Sequence, residues 1–155
     1  MPVQWMTQEE AYEFLAHSSE GRLATCGETG QPYITPVNYV ISQGKLYFHC
    51  RKTGRKLDNI AANPRVCFEV SRTDKAVFSA DRACACATRY TSVLAFGSAQ
   101  TVDDPEEKAA RLNLLMSRYA AGRSFEPVTI ENAGACAVVE ILIDEITGKR
   151  NVDPA

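Results

Sequence analysis

Apolar and polar residues alternate along most of this chain, and a period of two is typical of β-strands with one buried face. The pattern is clearest from Arg65 to Ser71, where Val66, Phe68 and Val70 share one face. It predicts further strands at Gly21 to Cys26, Gln31 to Ser42, Lys45 to Cys50, Tyr90 to Val102 and Cys136 to Ile146. Residues 72–88 lack a clear pattern, so we expect a loop or a short irregular strand there.

Two other segments have the apolar spacing of three and four residues that is typical of amphipathic helices. The first helix follows Thr7, which can form a capping box with Glu10. The second follows Asp104 as its N-cap, has Pro105 at its first position and ends at Gly122. With a third, shorter helix near residue 55, three helices are predicted at the edges of the strands.

Consecutive strands joined by tight turns predict a mainly β protein, with an antiparallel β-barrel and peripheral helices. The 155 residues suit one domain spanning residues 1–155. A net charge of −2 offers no basic surface for nucleic acid, and no apolar run reaches the length needed to span a membrane. No signal peptide is evident at the N-terminus, so we expect a cytoplasmic protein.

The six cysteines are expected to be free thiols, because no secretory signal accompanies them. Cys84 and Cys86 lie in the loop-like stretch, but their spacing is not that of a zinc site. We therefore expect no metal.

The segment Thr53-Gly54-Arg55-Lys56 places two cations in the first turn of the short helix. The N-terminal end of a helix already carries partial positive charge, so acidic residues are favoured there. A bound anion would explain the two cations, because free N–H groups and both side chains could converge on a phosphate. The alternative is two solvated side chains whose aliphatic stems cover apolar neighbours.

The strand predicted from Gln31 to Ser42 mixes apolar and polar residues on both faces, and Pro36 favours a sheet edge or a bulge. Such a strand either meets a ligand and a second subunit or is partly exposed at its ends. In the next strand, His49 lies opposite the apolar face formed by Leu46 and Phe48. The pattern alone favours a structural histidine.

Several short segments in a fixed order carry a family resemblance. They are Gly21-Arg22-Leu23-Ala24-Thr25, Pro32-Tyr33-Ile34-Thr35-Pro36-Val37-Asn38-Tyr39, Leu46-Tyr47-Phe48-His49-Cys50, Gly54-Arg55-Lys56, Asn63-Pro64-Arg65-Val66, Tyr90-Thr91-Ser92-Val93-Leu94-Ala95-Phe96-Gly97 and Thr147-Gly148-Lys149. Together they resemble the pyridoxamine 5′-phosphate oxidase-like split barrels that bind FMN, and within these the nitroimidazole-resistance (Nim) branch. The resemblance covers nearly the whole chain and implies an antiparallel Greek-key split barrel.

The resemblance also implies a homodimer that holds two FMN molecules between its subunits. The residues that would line the flavin ring are Thr35, Pro36, Val37, Asn38, Phe48 and His49. Arg55 and Lys56 would bind the phosphate, and Lys149 is a further candidate at the phosphate end. The residues that would approach from the other subunit are Tyr90, Ser92 and Val93. In similar resistance proteins a histidine at the place of His49 lies beside the substrate, so His49 is also the candidate catalytic residue.

The function implied is an FMN-dependent oxidoreductase that reduces a small nitro- or quinone-like compound by hydride transfer from the flavin. Without a dinucleotide-binding motif in the chain, NADH or NADPH would dock only transiently. The Trp and Arg that hold the pyridoxal substrate in true pyridoxamine phosphate oxidases are not evident, which disfavours vitamin B6 oxidation. The alternatives are a flavin-binding protein without turnover, a haem-binding split barrel with His49 as axial ligand, and a dimeric scaffold without cofactor.

Overall fold

The computed structural model describes residues 3–80 and 86–152. The strands are β1 (Gln4–Trp5), β2 (Gly21–Cys26), β3 (Pro32–Val37), β4 (Tyr39–Ser42), β5 (Lys45–Cys50), β6 (Arg65–Val77), β7 (Ala87–Thr101) and β8 (Ala137–Asn151). The helices are α1 (Gln8–His17), α2 (Arg55–Ala62), α3 (Pro105–Ala120) and α4 (Ile130–Ala133). None of the helices in these two ranges is long and apolar enough to cross a membrane.

The strands form one sheet in the order β3-β2-β6-β7-β8-β5-β4, with β1 paired to β8, and each described ladder is antiparallel. Strands β3 and β4 lie at opposite ends of this order, yet only Asn38 separates them in the chain. The chain itself therefore brings the two ends together, and the sheet curls into a barrel. The predicted fold class, a mainly β antiparallel barrel with peripheral helices, is confirmed.

Two apolar clusters stabilise the barrel. The larger cluster lies inside it and includes Leu23, Phe68 and Val93, none of which is exposed. The alternation predicted around Phe68 is present, since its neighbours two residues away on either side are also buried. The smaller cluster lies between β5 and α3, where Tyr47 packs with Leu115. The helix is thereby fixed against the outside of the sheet.

A buried polar group accompanies the smaller cluster. The Glu140 carboxylate accepts hydrogen bonds from Tyr47 at 2.8 Å, Lys45 at 3.0 Å and Gln100 at 3.1 Å. Burial alone would raise the pKa of Glu140, but these three donors outweigh it and hold the pKa below its usual value. The pKa of Tyr47 is raised to about 12, mainly because the phenol is buried and secondly because it donates a hydrogen bond to Glu140.

The prediction of one strand from Gln31 to Ser42 is wrong at Asn38, where the structure has two strands. Pro32–Val37 pairs with β2, whereas Tyr39–Ser42 pairs with β5. The chain changes direction at Asn38, between the strand that pairs with β2 and the strand that pairs with β5, and we call this point the corner. The alternation of residues along the sequence does not reveal the corner, because the alternation continues on both sides of it.

Residues 72–88, for which we expected a loop or a short irregular strand, belong at both ends to strands that are longer than predicted. Strand β6 continues to Val77 and pairs with β7 from Ala87 onward, with a register shift between Thr73 and Lys75. Residues 72–76 are exposed on both faces, so they show no apolar alternation. Cys84 lies outside the described residues.

The described residues contain one helix more than the three predicted. Helix α4 is a single turn capped by Thr129 and Asn132. The five described cysteines, which are Cys26, Cys50, Cys67, Cys86 and Cys136, are free thiols.

Candidate functional site

The beginning of α2 lacks the usual helix cap. Gly54, the N-cap residue, has a φ of 138° and offers no side-chain acceptor. Its carbonyl accepts from the amides of Leu57 at 2.8 Å and Asp58 at 3.2 Å. No hydrogen bond within the described residues uses the amides of Arg55 and Lys56. Two N–H groups at the positive end of a helix are thus available for an acceptor.

The side chains of Arg55 and Lys56 reach two different strands from this helix end. The Arg55 guanidinium lies 5.2 Å from the centre of the Tyr33 ring on β3. The Lys56 ammonium lies 6.0 Å from the centre of the Phe48 ring on β5. Within the described part of the chain neither cation has a carboxylate partner. The predicted grouping of cations at the helix start is therefore present, and neighbouring acids do not neutralise it.

Strand β3 has an open edge beside this helix end. It pairs with β2 on one side only, and Asn38 belongs to neither adjacent ladder. Ile34 is 62% exposed on this strand, and Pro36 is also exposed. The Thr35 hydroxyl is buried without a hydrogen-bond partner among the described residues. Such a hydroxyl costs about 1–3 kcal/mol unless a ligand or water satisfies it.

Strand β5 supplies Phe48 and His49, and Lys56 reaches this strand from the start of α2. Phe48 is fully buried, whereas His49 is exposed, as its place opposite the apolar face predicts. The next residue, Cys50, is partly buried, and burial raises the pKa of its thiol while Lys56 opposes this rise. Lys56 therefore lies close to the end of β5 that carries His49.

A second group of predicted residues lies on the outer face of β7 and β8. Ser92 is paired with Lys149, which is also paired with Trp5 of β1. A small cavity of about 90 Å³ is lined by Trp5, Ser92, Leu94, Thr147, Gly148 and Lys149. Tyr90 is on the same face as Ser92, because the two are two positions apart along the strand. Val93 points the other way and is fully buried, so its side chain faces the barrel interior.

The two groups do not meet through any described polar contact. No hydrogen bond, ion pair or cation–π contact in the described ranges joins Tyr90, Ser92 or Lys149 to Arg55 or Lys56. The structure thus brings together Arg55 and Lys56 with β3 and β5, and it presents the other three side chains on a separate surface.

Sequence reasoning overlooked two tyrosines at this site. Tyr33 was taken only as part of a strand, yet its ring lies under Arg55. Tyr119 packs with the apolar residues of α3, yet its hydroxyl accepts from the Tyr39 amide at 2.9 Å. Neither contact leaves a local signal, because the partners are far apart in the chain.

The curled antiparallel sheet, whose end strands β3 and β4 each pair on one side in the described residues, defines a split-barrel protein together with its peripheral helices. Comparison with known families makes this more specific, since the sequence profile described as pyridoxamine 5′-phosphate oxidase matches residues 7–150. The chain belongs to the pyridoxamine 5′-phosphate oxidase family.

Solved structures share the fold over nearly the whole chain. A candidate 5-nitroimidazole antibiotic resistance protein from Bacteroides thetaiotaomicron is 21% identical, with a TM-score of 0.80 over 97% of this chain and 89% of the other. An FAD-binding protein from Mesorhizobium loti is 25% identical, with a TM-score of 0.72 over 98% and 100%. The flavocytochrome Anf3 from Azotobacter vinelandii is 23% identical, with a TM-score of 0.83 over 98% and 70%.

Proposed function

We propose that this protein binds FMN and uses it to reduce a small nitro- or quinone-like compound. The observation that carries the proposal is the pair of cations, Arg55 and Lys56, at the uncapped start of α2 beside the open edge of β3. Family membership supports a flavin as the ligand. The resistance protein from Bacteroides thetaiotaomicron supports the substrate class, and the FAD-binding protein from Mesorhizobium loti supports a flavin in this fold.

The phosphate end of FMN fits the beginning of α2. A phosphate there would accept from the free amides of Arg55 and Lys56 and from both side chains. Gly54 favours this approach, because open space surrounds the position where a Cβ would be. FMN rather than a ligand without phosphate is the better match to two cations that have no carboxylate partner among the described residues.

The ring end of FMN fits the open edge of β3. The unpaired backbone groups of β3 and Asn38 can form hydrogen bonds with the polar edge of a flat ring. The Thr35 hydroxyl, which has no hydrogen-bond partner among the described residues, can form another. Phe48 is buried on β5, and its ring lies 6.0 Å from the Lys56 ammonium. When bound, the flavin supplies two-electron redox chemistry, and the protein supplies its position and surroundings.

The second surface completes the site in a homodimer under this proposal. Tyr90, Ser92 and Lys149 would approach the flavin bound by the partner subunit, since they are directed outward from β7 and β8. The electron donor would be NADH or NADPH, docking transiently. His49 would contact the substrate because its side chain is exposed at the end of β5 beside the flavin residues.

The first test is the ultraviolet-visible spectrum of freshly purified protein, with mass identification of the molecule released on heating. We expect flavin bands and the mass of FMN. Anaerobic mixing with NADH or NADPH should bleach these bands, and a nitroimidazole should restore them. Protein that is colourless and indifferent to added FMN would contradict the proposal. A Soret band would instead favour haem binding through His49, and flavin bands that no donor bleaches would favour a binding protein without turnover.

The role of His49 can be tested against the only other histidine. We expect His49→Ala to lower turnover of the nitro compound at least tenfold while FMN affinity changes little, because the exposed ring is not needed to hold the phosphate. The matched control is His17→Ala, since His17 is also exposed but bonds to the Glu13 carbonyl on α1. Equal turnover in wild type and His49→Ala would leave His49 with a structural role only.

A further inference from the structure

The corner at Asn38 is held by a residue from a distant helix. The Tyr39 amide, which begins β4, donates to the Tyr119 hydroxyl at 2.9 Å. The same hydroxyl lies 2.8 Å from the Ser19 carbonyl and 3.1 Å from the Tyr39 carbonyl, so it donates its single proton to one of them. One hydroxyl of α3 thus contacts both backbone polar groups of Tyr39.

The neighbouring residue on α3 contacts the end of α1 and the ring of Tyr39, and no described hydrogen bond joins it to the Tyr39 backbone. The Arg118 guanidinium donates to the carbonyls of Ala16 at 2.7 Å and Ser18 at 2.6 Å, at the end of α1. It also lies 5.2 Å from the centre of the Tyr39 ring. The Tyr39 hydroxyl donates to the Leu15 carbonyl, so the Tyr39 side chain is fixed at its far end as well.

The position of Tyr39 determines the direction in which Asn38 points. Asn38 has no ladder partner of its own and lies between Val37, the last residue of β3, and Tyr39. Strand β3 is held along its length by its ladder with β2, whereas the orientation of Asn38 depends on its two chain neighbours. Val37 is held by its pairing with Gly21. Tyr39 is therefore the second fixed point, and Tyr119 holds its backbone.

We propose that Tyr119 is a positioning residue for the cofactor, and that its hydroxyl sets the orientation of Asn38 toward the flavin ring. The inference rests on the proposed function. Tyr119 does not contact the phosphate residues, so its effect is confined to the ring end of the ligand. A purely structural tyrosine would stabilise α3 against the barrel without altering the bound flavin.

The test compares Tyr119→Phe with wild type in FMN titration, in the visible spectrum of the bound flavin and in its midpoint potential. The variant removes one hydroxyl from a half-buried ring, and circular dichroism checks that the protein folds. We expect FMN to bind roughly tenfold more weakly and the absorption bands to shift. If oxidised FMN loses tenfold more affinity than reduced FMN, the potential rises by about 30 mV, the value for a two-electron couple.

Two further variants make the test specific. Tyr12→Phe removes a hydroxyl from α1 for which the described residues show no hydrogen bond, and it should leave FMN affinity unchanged. Arg118→Gln removes the bonds to α1 but leaves the Tyr39 amide its partner, so the melting temperature should fall while FMN affinity stays within twofold.

Three outcomes would overturn the inference. Tyr119→Phe with a lower melting temperature but wild-type affinity, spectrum and potential would make Tyr119 structural only. Equal losses of FMN affinity in Tyr119→Phe and Arg118→Gln would point to general destabilisation. Wild-type protein that binds no FMN would refute the proposed function itself, and the role of Tyr119 with it.

Discussion

Removing both cations at the start of α2 should separate cofactor binding from stability. In the double variant Arg55→Ala with Lys56→Ala, the phosphate would lose two charge-assisted hydrogen bonds. Such bonds contribute about 1.5–3 kcal/mol each, and the low end applies because Arg55 is exposed and Lys56 is only half-buried. The loss of binding free energy is then about 3 kcal/mol, which raises the dissociation constant of FMN roughly a hundredfold.

Stability of the protein without cofactor should move in the opposite direction. Neither side chain has a carboxylate partner in the described residues, and both cations oppose the positive end of the helix dipole. Their removal should raise the free energy of unfolding by roughly 0.3–1 kcal/mol per charge at low salt. A double variant that is more stable than wild type but binds FMN more weakly would show that Arg55 and Lys56 serve binding and not stability.

The assay is titration of FMN into cofactor-free protein, followed by flavin fluorescence at low and high salt. The matched control is Arg51→Ala with Lys52→Ala, which removes the same charge from two exposed residues just before the turn. Riboflavin, which lacks the phosphate, should bind the double variant and wild type equally. FMN affinity unchanged by the loss of Arg55 and Lys56, or lowered equally in the control, would refute the phosphate site.

Three further variants test the surroundings of the site. Gly54→Ala should lower the free energy of unfolding by about 1–3 kcal/mol, because a φ of 138° strains any residue with a Cβ. The control is Gly134→Ala, at a φ of −66°, which should leave the free energy of unfolding measured in urea nearly unchanged. Since the pKa of Glu140 is lowered by folding, its stabilisation is present above the unfolded pKa of 4.5 and is lost as the pH falls from there through the lower folded pKa. Glu140→Gln should flatten the fall in urea midpoint over that window. Gly97→Ala should lower the melting temperature sharply, because a Cβ there would overlap the Leu142 carbonyl oxygen, and an unchanged melting temperature would contradict the close strand packing.

The sequence predicted most of the strands because burial on one face leaves a period of two, as around Phe68. It predicted α3 because Asp104 and Pro105 form a recognisable helix start, and the cations of α2 because their charge conflicts with the dipole. The corner at Asn38 was missed because closure of the barrel depends on which strands pair, and alternation does not encode pairing. The contact between Tyr119 and Tyr39 was missed for a similar reason, since a hydroxyl that completes a backbone bond from a distant helix leaves no local pattern.

Strand β6 pairs with β2 only as far as Glu69. From Arg72 to Val77 it pairs, within the described residues, with β7 alone. Amide hydrogens directed toward β7 should therefore exchange with deuterium slowly, while those directed away should exchange at rates close to those of an open chain. Slowly and rapidly exchanging amides should therefore alternate along β6, and this order should be offset by one residue at the register shift between Thr73 and Lys75. Strand β7 pairs with β8 as far as Tyr90, so only the part from Lys75 to Val77 and its β7 partners is a two-stranded ribbon. Because such a ribbon has little apolar surface to bury, this outer part should open and reclose many times while the barrel below it remains intact.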